Sequence, residues 1–418
     1  MTSLLPSTAP EPPAKQRFVS LDASIPIEEE TMPYYNADDW YPVFIGEVFK
    51  SRYQVLRKLG YGQFSTVWFS RDLQSHVYVA LKVYKVDNRE ASQLATQIVN
   101  GLHREIDAYQ CMSAIKTSHR GQRFVRQMLD SFTVSSARNT HHCLVHPPLW
   151  DTIRGLQRIN YGNRLPESPL RGTITYLLEA LDYLHGECGL IHTDIKASNI
   201  MLDTPDKSIL KSFGDGELDS PSSRKILDGR TIYRSRKFVF PKSTGFSVLC
   251  DFGEARRGIF NHNGLIQPEI YRAPEVILDM HWDYKVDIWM VGVMIWGLFE
   301  NKHLFDASDL ETGEYDPKHH LAEMVAYLGP PSQEFLGRSK SYGVCFDEHG
   351  NWTSEVPVPT HLGLESGEVN LEGENKEAFL RFLRSMLCWD PDERKTAKML
   401  LEDPWLKGQG EFELDQDE

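Results

Sequence analysis

Ile191-His192-Thr193-Asp194-Ile195-Lys196-Ala197-Ser198-Asn199 puts a carboxylate, an ammonium and an amide on one short loop, in the spacing D-x-K-x-x-N. That set suits phosphoryl transfer. Asp194 would orient an attacking hydroxyl and accept its proton, Lys196 would steady the moving phosphoryl group, and Asn199 would hold a metal ion. Alone, such a loop is ordinary. Its weight comes from what stands in order on either side.

Downstream, Cys250-Asp251-Phe252-Gly253 supplies a second metal carboxylate in Asp251, and Tyr271-Arg272-Ala273-Pro274-Glu275 follows. Upstream, Leu59-Gly60-Tyr61-Gly62-Gln63-Phe64-Ser65-Thr66-Val67 sets two glycines at a hairpin, where backbone without Cβ can fold closely over phosphates. By itself that pattern is a plain turn, and Ser65 stands where a third glycine is usual. Val79-Ala80-Leu81-Lys82 then places a lysine in an otherwise apolar strand. A lone lysine ending a strand ordinarily reaches solvent; in this order it is expected on the α- and β-phosphates of a nucleotide. Its expected anionic partner is Glu105, in the helical stretch Leu102-His103-Arg104-Glu105-Ile106, whose apolar face is read as Ile98, Leu102, Ile106 and Tyr109. Asp107, the nearest competitor, is shorter and faces another side. In isolation Glu105 would be a surface helix charge. Five such constellations in one order exclude coincidence.

The grammar of the chain changes once. Between Tyr53 and about Val86, YQVLRKLG, STVWFSRD and YVALKVYK are β-branched and aromatic runs broken by Gly and Asp, which predicts an antiparallel meander. From about Ser168 the segments are helical: Ser168 and Pro169 are read as N-cap and first-turn proline, and Ile174, Leu177, Leu178, Leu181 and Leu184 recur at helical spacing. Ile288 to Phe299 is apolar all round, as in a helix buried on every side. The expected fold class is α+β, with a small antiparallel β-sheet lobe carrying one helix, a larger mainly helical lobe, and a cleft between them.

With 418 residues and 41% hydrophobic content the chain can build a sizeable core. Its 59 Asp+Glu against 45 Lys+Arg give a formal charge of −14, which disfavours direct nucleic-acid and membrane partners and favours basic ones. Six cysteines without Cys-x-x-Cys spacing predict reduced thiols, in cytoplasm or nucleus. The Pro-rich, acidic residues 1–33 are expected to be a flexible leader, and the acidic residues 408–418 a frayed tail. No secretory signal is read at the N-terminus.

Over residues 50 to 406 these motifs resemble the eukaryotic protein kinases. Asp287, in Val286-Asp287-Ile288-Trp289, resembles the aspartate opening the buried central helix. Arg394, in Asp390-Pro391-Asp392-Glu393-Arg394, resembles the arginine that pairs with the glutamate of A-P-E, here Glu275. The resemblance implies a two-lobed kinase fold, with an N-lobe at 34–149 and a C-lobe at 150–407 bearing inserts near 203–247 and 302–335. It also implies use of ATP and Mg²⁺. Within the family, GQFSTVW, HTD and Ile266-Gln267 before YRAPEV resemble the serine/arginine-rich protein kinases, in a divergent filamentous-fungal form, while Lys302-His303-Leu304-Phe305 and Leu328-Gly329-Pro330-Pro331 resemble the extra helical insert of the wider group that includes mitogen-activated and cyclin-dependent kinases. That implies a monomeric Ser/Thr protein kinase acting on basic or Arg/Ser-rich, splicing-related proteins.

The chain also departs from the pattern. Thr193 replaces an arginine that in many kinases reads a phosphorylated activation loop, so activity without that phosphorylation is expected. Pro268 removes a hydroxyl near the substrate, which points to reduced turnover. Glu269 favours a basic residue after the phosphorylated serine. His146 falls at the gatekeeper position, followed by Pro147, Pro148 and Leu149; the Leu149 N–H remains to meet adenine. Asn199 and Asp251 lie 52 positions apart, a span that includes an insertion. Two rival readings are a pseudokinase scaffold, which the presence of Lys82, Asp194, Asn199 and Asp251 disfavours, and a small-molecule kinase, which the Glu275, Asp287 and Arg394 scaffold disfavours.

Overall fold

The computed structural model describes residues 18–86, 93–241, 244–309 and 311–408. The chain divides into two compact units. The first takes residues through His103, Arg126–Asp151 and Leu202–Gly245; the second takes Arg104–Val125, Thr152–Met201 and everything from Phe246.

The first unit is built on a six-stranded antiparallel sheet of β1 (Val48–Phe49), β2 (Tyr53–Tyr61), β3 (Ser65–Asp72), β4 (Tyr78–Tyr84), β5 (Asp130–Ser135) and β6 (Thr140–His146), in the order β1-β2-β3-β4-β6-β5. The three runs read as a meander are β2, β3 and β4. Because side chains alternate along a strand, Tyr53, Val55, Trp68, Val79, Leu81, Val83, Cys143 and Val145 gather in one buried cluster.

That cluster also contains Tyr233, from the insertion between Asn199 and Asp251. Its described residues form regular elements. Helix α4 (Lys207–Asp219), capped by Asp206, is followed by the hairpin Arg224–Leu227/Arg230–Tyr233. Tyr233 meets Trp68 edge-on at 5.8 Å, while Phe213 and Phe238 pack on Phe69 at 5.2 and 5.5 Å. Trp68 and Phe69 are successive strand residues with side chains on opposite faces, so the insertion reaches both faces of the sheet. Its end continues onto Trp150, whose indole N–H donates to Val239 O at 3.1 Å.

The flexible leader expected over 1–33 is corrected across its described part. Residues 18–33 lie against the insertion and β2: Leu21 N–H donates to Arg224 O at 2.9 Å, Lys225 pairs with Glu30 at 2.7 Å, and Lys58 pairs with Glu29 and with Glu28. Lys58 is 0% and Glu29 4% exposed. Acidic composition suggested solvation, but these carboxylates are neutralised by lysines far along the chain. Residues 1–17 and 409–418, and with them most of the expected tail, lie outside the described residues. The lobe limits shift accordingly: the insert read as part of the C-lobe groups with the sheet, and Arg104–Val125 groups with the helical unit.

Helix α1 (Gln93–Ala114) buries Ile98, Leu102, Glu105, Ala108, Tyr109 and Met112, so Glu105 lies on the buried stripe, while Ile106 is only half-buried. In the second unit, α2 (Ile153–Asn160) precedes α3 (Glu167–Tyr183). The cap of α3 differs from expectation: Pro166 is the N-cap and Ser168 lies within the first turn. Pro169 costs nothing there, because N–H groups of a first turn have no intrahelical partner. The helix Lys285–Glu300 is buried along nearly its whole length, as its uniformly apolar sequence predicts. Glu275 and Arg394 form a bidentate pair, both contacts 2.6 Å, at 1% exposure each.

Candidate active site

Asp287 opens the helix Lys285–Glu300 and is wholly buried. Its carboxylate accepts the N–H groups of His192 and Thr193, each at 2.8 Å, and faces His185 Nε2 at 2.9 Å. His185 comes from a wide turn, Leu184–Cys188, that extends α3 and ends on Gly189 at φ +60°. Two backbone donors on one buried carboxylate fix the entry of the 191–199 loop. Thr193 sits at φ +63°, a left-handed conformation that a β-branched residue adopts only when held. Its hydroxyl donates to Glu254 O at 2.6 Å.

His192 makes the next link. Its Nδ1 accepts the Asp194 N–H at 3.2 Å, so Nε2 carries the proton and donates to Cys250 O at 3.1 Å. Cys250 N–H in turn donates to Asn199 O at 2.8 Å. The loop and the Asp251 segment are thereby stitched together.

Within the loop, three predicted residues converge. Lys196 Nζ lies 2.9 and 2.8 Å from the two oxygens of Asp194. Asn199 Nδ2 donates to Asp194 Oδ2 at 2.8 Å and to its backbone oxygen at 2.9 Å. Burial pushes the Asp194 carboxyl above its usual value, and the Lys196 ammonium opposes that shift. With its amide nitrogen committed, Asn199 keeps Oδ1 as a hard oxygen donor. Asp251, exposed and at φ +67°, offers a carboxylate. An amide oxygen with a carboxylate is a donor set that fits Mg²⁺. Phe252 is buried against Tyr109 and His192, at ring distances of 5.4 and 5.1 Å.

Two contributors went unread in the sequence. Arg104 donates to Gly253 O and to Glu254, each at 2.7 Å, anchoring the residues after Asp251; Arg257 pairs with Asp107 nearby at 3.3 Å. Gln267, at φ +69°, donates to Val286 O at 3.0 Å and accepts Ala273 N–H at 2.8 Å, bracketing the turn through Pro268 and the exposed Glu269. A left-handed residue before a proline leaves no composition signal, and an arginine beside a glutamate on a helix looks like ordinary surface charge.

In the sheet unit, strand register sets Val67, Lys82 and Leu144 side by side, with Phe69, Ala80 and His146 in the next row of that face. Lys82 Nζ lies 4.9 Å from the Tyr84 ring. Leu59, Gly60 and Tyr61 end β2, Gln63 and Phe64 turn, and Ser65, Thr66 and Val67 begin β3. Gly62 N–H donates to Ser65 O at 2.8 Å. Neither Gly60 nor Gly62 has a positive φ, and an added Cβ at either would meet no atom within 4 Å. The fold itself does not demand glycine at either position. Ser65 and Thr66 are buried, and the Thr66 hydroxyl accepts the Trp68 indole N–H at 2.9 Å. Leu149 follows β6 and is buried. Burial holds the His146 imidazole well below its ordinary pKa, hence neutral, with Nδ1 2.9 Å from Gln127 O. Lys82 and Glu105 fall in different units.

Comparison with known proteins gives a consistent result. The family described as protein kinase domain matches residues 53–406. A serine/threonine protein kinase of Aspergillus fumigatus is 44% identical over 403 residues, 96% of each chain. SRSF protein kinase 3 of Sus scrofa is 36% identical over 95% of this chain and 94% of its own. The serine/threonine-protein kinase SRPK of Physarum polycephalum is 28% identical over 91% of each. A crystallised kinase domain shares the fold with a TM-score of 0.66, at 23% identity over 88% of this chain and 99% of its own.

Proposed function

Since this chain belongs to the protein kinase domain family and is a serine/threonine protein kinase, we propose that it transfers the γ-phosphoryl group of Mg²⁺-ATP to serines set among arginines, in splicing-related proteins. The convergence of Lys196 and Asn199 on the Asp194 carboxylate carries the reading. Asp194 orients the substrate hydroxyl and accepts its proton, and Lys196 offsets charge on the transferring group. Lys82 is assigned to the α- and β-phosphates with Glu105 as its counter-charge, residues 59–67 with Ala80 to the nucleotide, and Leu149 N–H to adenine. Asn199 Oδ1 and the Asp251 carboxylate would hold Mg²⁺, which when bound neutralises phosphate charge.

The acidic balance of the chain and the exposed carboxylate of Glu269 support a basic substrate. So do the relatives named SRPK and SRSF protein kinase 3. Exposed Asp306, Glu311 and Glu314 offer further anionic surface, whereas Asp309 closes a turn by accepting the N–H groups of Glu311 and Thr312 at 2.8 Å. Transfer to an Arg-Ser repeat peptide, compared with the same peptide carrying Gln for Arg, tests the reading. A preference of at least about tenfold in kcat/KM is expected. Equal rates on both would remove the arginine requirement, and ATP binding without transfer to any basic protein would turn the chain into a scaffold.

Activity should also be independent of activation-loop phosphate. Arg104 and the Thr193 hydroxyl already tie down Gly253 and Glu254 with the chain's own groups. Phosphatase-treated protein is expected to keep its peptide-kinase rate within about twofold; a large loss on treatment, restored by rephosphorylation, would show that a phosphate receptor exists elsewhere.

A further inference from the structure

The insertion that covers the sheet carries, at its end, Tyr233-Arg234-Ser235-Arg236-Lys237, a serine between two arginines. The side chain of this serine is neither free nor deeply buried. Ser235 N–H donates to Glu28 Oε1 at 3.0 Å, and its hydroxyl donates to the other oxygen of the same carboxylate. Arg234 is exposed, while Arg236 N–H donates to Lys58 O at 2.9 Å, so the triplet lies along β2 just before Gly60. Glu28, Glu29 and Glu30 form the inner surface of the 18–33 segment, matched by Lys58 and Lys225. The Glu28 carboxylate is thus held by the Lys58 ammonium and by the uncharged N–H and hydroxyl of Ser235.

We propose that Ser235 is a phosphorylation site of this kinase on its own chain, and that the phosphate releases residues 18–33 from the insertion. The proposal rests on the Arg-Ser substrate reading above. In the transfer, the Ser235 Oγ–Pγ bond forms as the bond from Pγ to the β,γ-bridging oxygen of ATP breaks. The hydroxyl proton passes to Asp194, and ADP leaves. The modified Oγ has no proton to donate to Glu28, and about two negative charges arrive beside three carboxylates. Lys58, already paired with Glu29 and Glu28, is then offered a third anion, so the phosphate competes with the acidic segment for its own counter-charge. Arg234, Arg236 and Lys237 make the displaced triplet a basic acceptor.

The test incubates the full chain, its Asp194→Ala form and its Ser235→Ala form with Mg²⁺-ATP beside an Arg-Ser repeat peptide, and maps phosphates by mass spectrometry. Wild type is expected to carry phosphate on Ser235 and Asp194→Ala none, while Ser235→Ala phosphorylates the peptide within about twofold of wild type. Amide hydrogen exchange over residues 18–33 is expected to rise about tenfold or more in the phosphorylated chain, and to stay unchanged in Ser235→Ala treated identically. Peptide labelled with Ser235 untouched overturns the site and leaves the substrate reading standing. Phosphate on Ser235 with unaltered exchange overturns the release. Neither acceptor labelled overturns both the site and the substrate reading.

Discussion

Replacing Asp194 with alanine is expected to lower γ-phosphoryl transfer by about 10²–10⁴-fold, the usual weight of a positioned general base, while nucleotide binding and fold persist. The loop should survive because its geometry does not hang on that carboxylate alone. Asn199 still donates to the backbone oxygen of residue 194, and Asp287 still accepts two N–H groups at the loop entry. What disappears is the group on which Lys196 and Asn199 converge. Single-turnover transfer to an Arg-Ser peptide, beside a fluorescent-nucleotide titration, separates the two effects. A variant that retains most of its rate would mean that Asp194 is not the base, and would move attention to Lys196.

The second large effect concerns the scaffold. Arg394→Ala would leave the Glu275 carboxylate buried without its bidentate partner, a change that costs about 3–5 kcal/mol when the pair is fully enclosed. At roughly 2–4 °C per kcal/mol for a domain of this size, the midpoint of thermal unfolding should fall by about 10 °C. The guanidinium also lies over the Trp289 ring at 5.0 Å and donates to Cys388 O at 3.0 Å, so part of the loss is packing and backbone support. The double replacement Glu275→Leu with Arg394→Met removes both charges together and should recover much of the midpoint, since an apolar pair of similar volume often matches a buried ion pair. A single variant as stable as wild type would show that the pair contributes nothing net.

The catalytic loop was legible because its chemistry is local: D-x-K-x-x-N holds in six residues all the groups that later converge. The meander and the buried helix were legible through period and composition. The scaffold pair was different in kind, since nothing near Glu275 points to Arg394, and it came from resemblance. Residues 18–33 were misread for a physical reason. Prolines and carboxylates look alike whether water or lysine satisfies them, and here Ser235 and Glu28 are 207 positions apart. The aromatics Phe213, Tyr233 and Phe238 were the available hint that the insertion would fold. Lys58 carried no such hint, since it follows Arg57 in a strand that also holds Gln54.

The order in which the units claim the chain bears on how it is made. Reading from the N-terminus, ownership changes five times, and the sheet unit is not complete until Gly245. A ribosome releases β3 long before it releases Tyr233, so Trp68 and Phe69 wait for roughly 10–30 s at ordinary translation speeds without the rings that cover them. During that interval the nascent sheet presents aromatic surface to solvent, the condition in which chaperones bind and unpartnered chains aggregate. A gene fragment ending before the insertion would encode the strands without their cover, so soluble expression belongs to chains that run past Gly245.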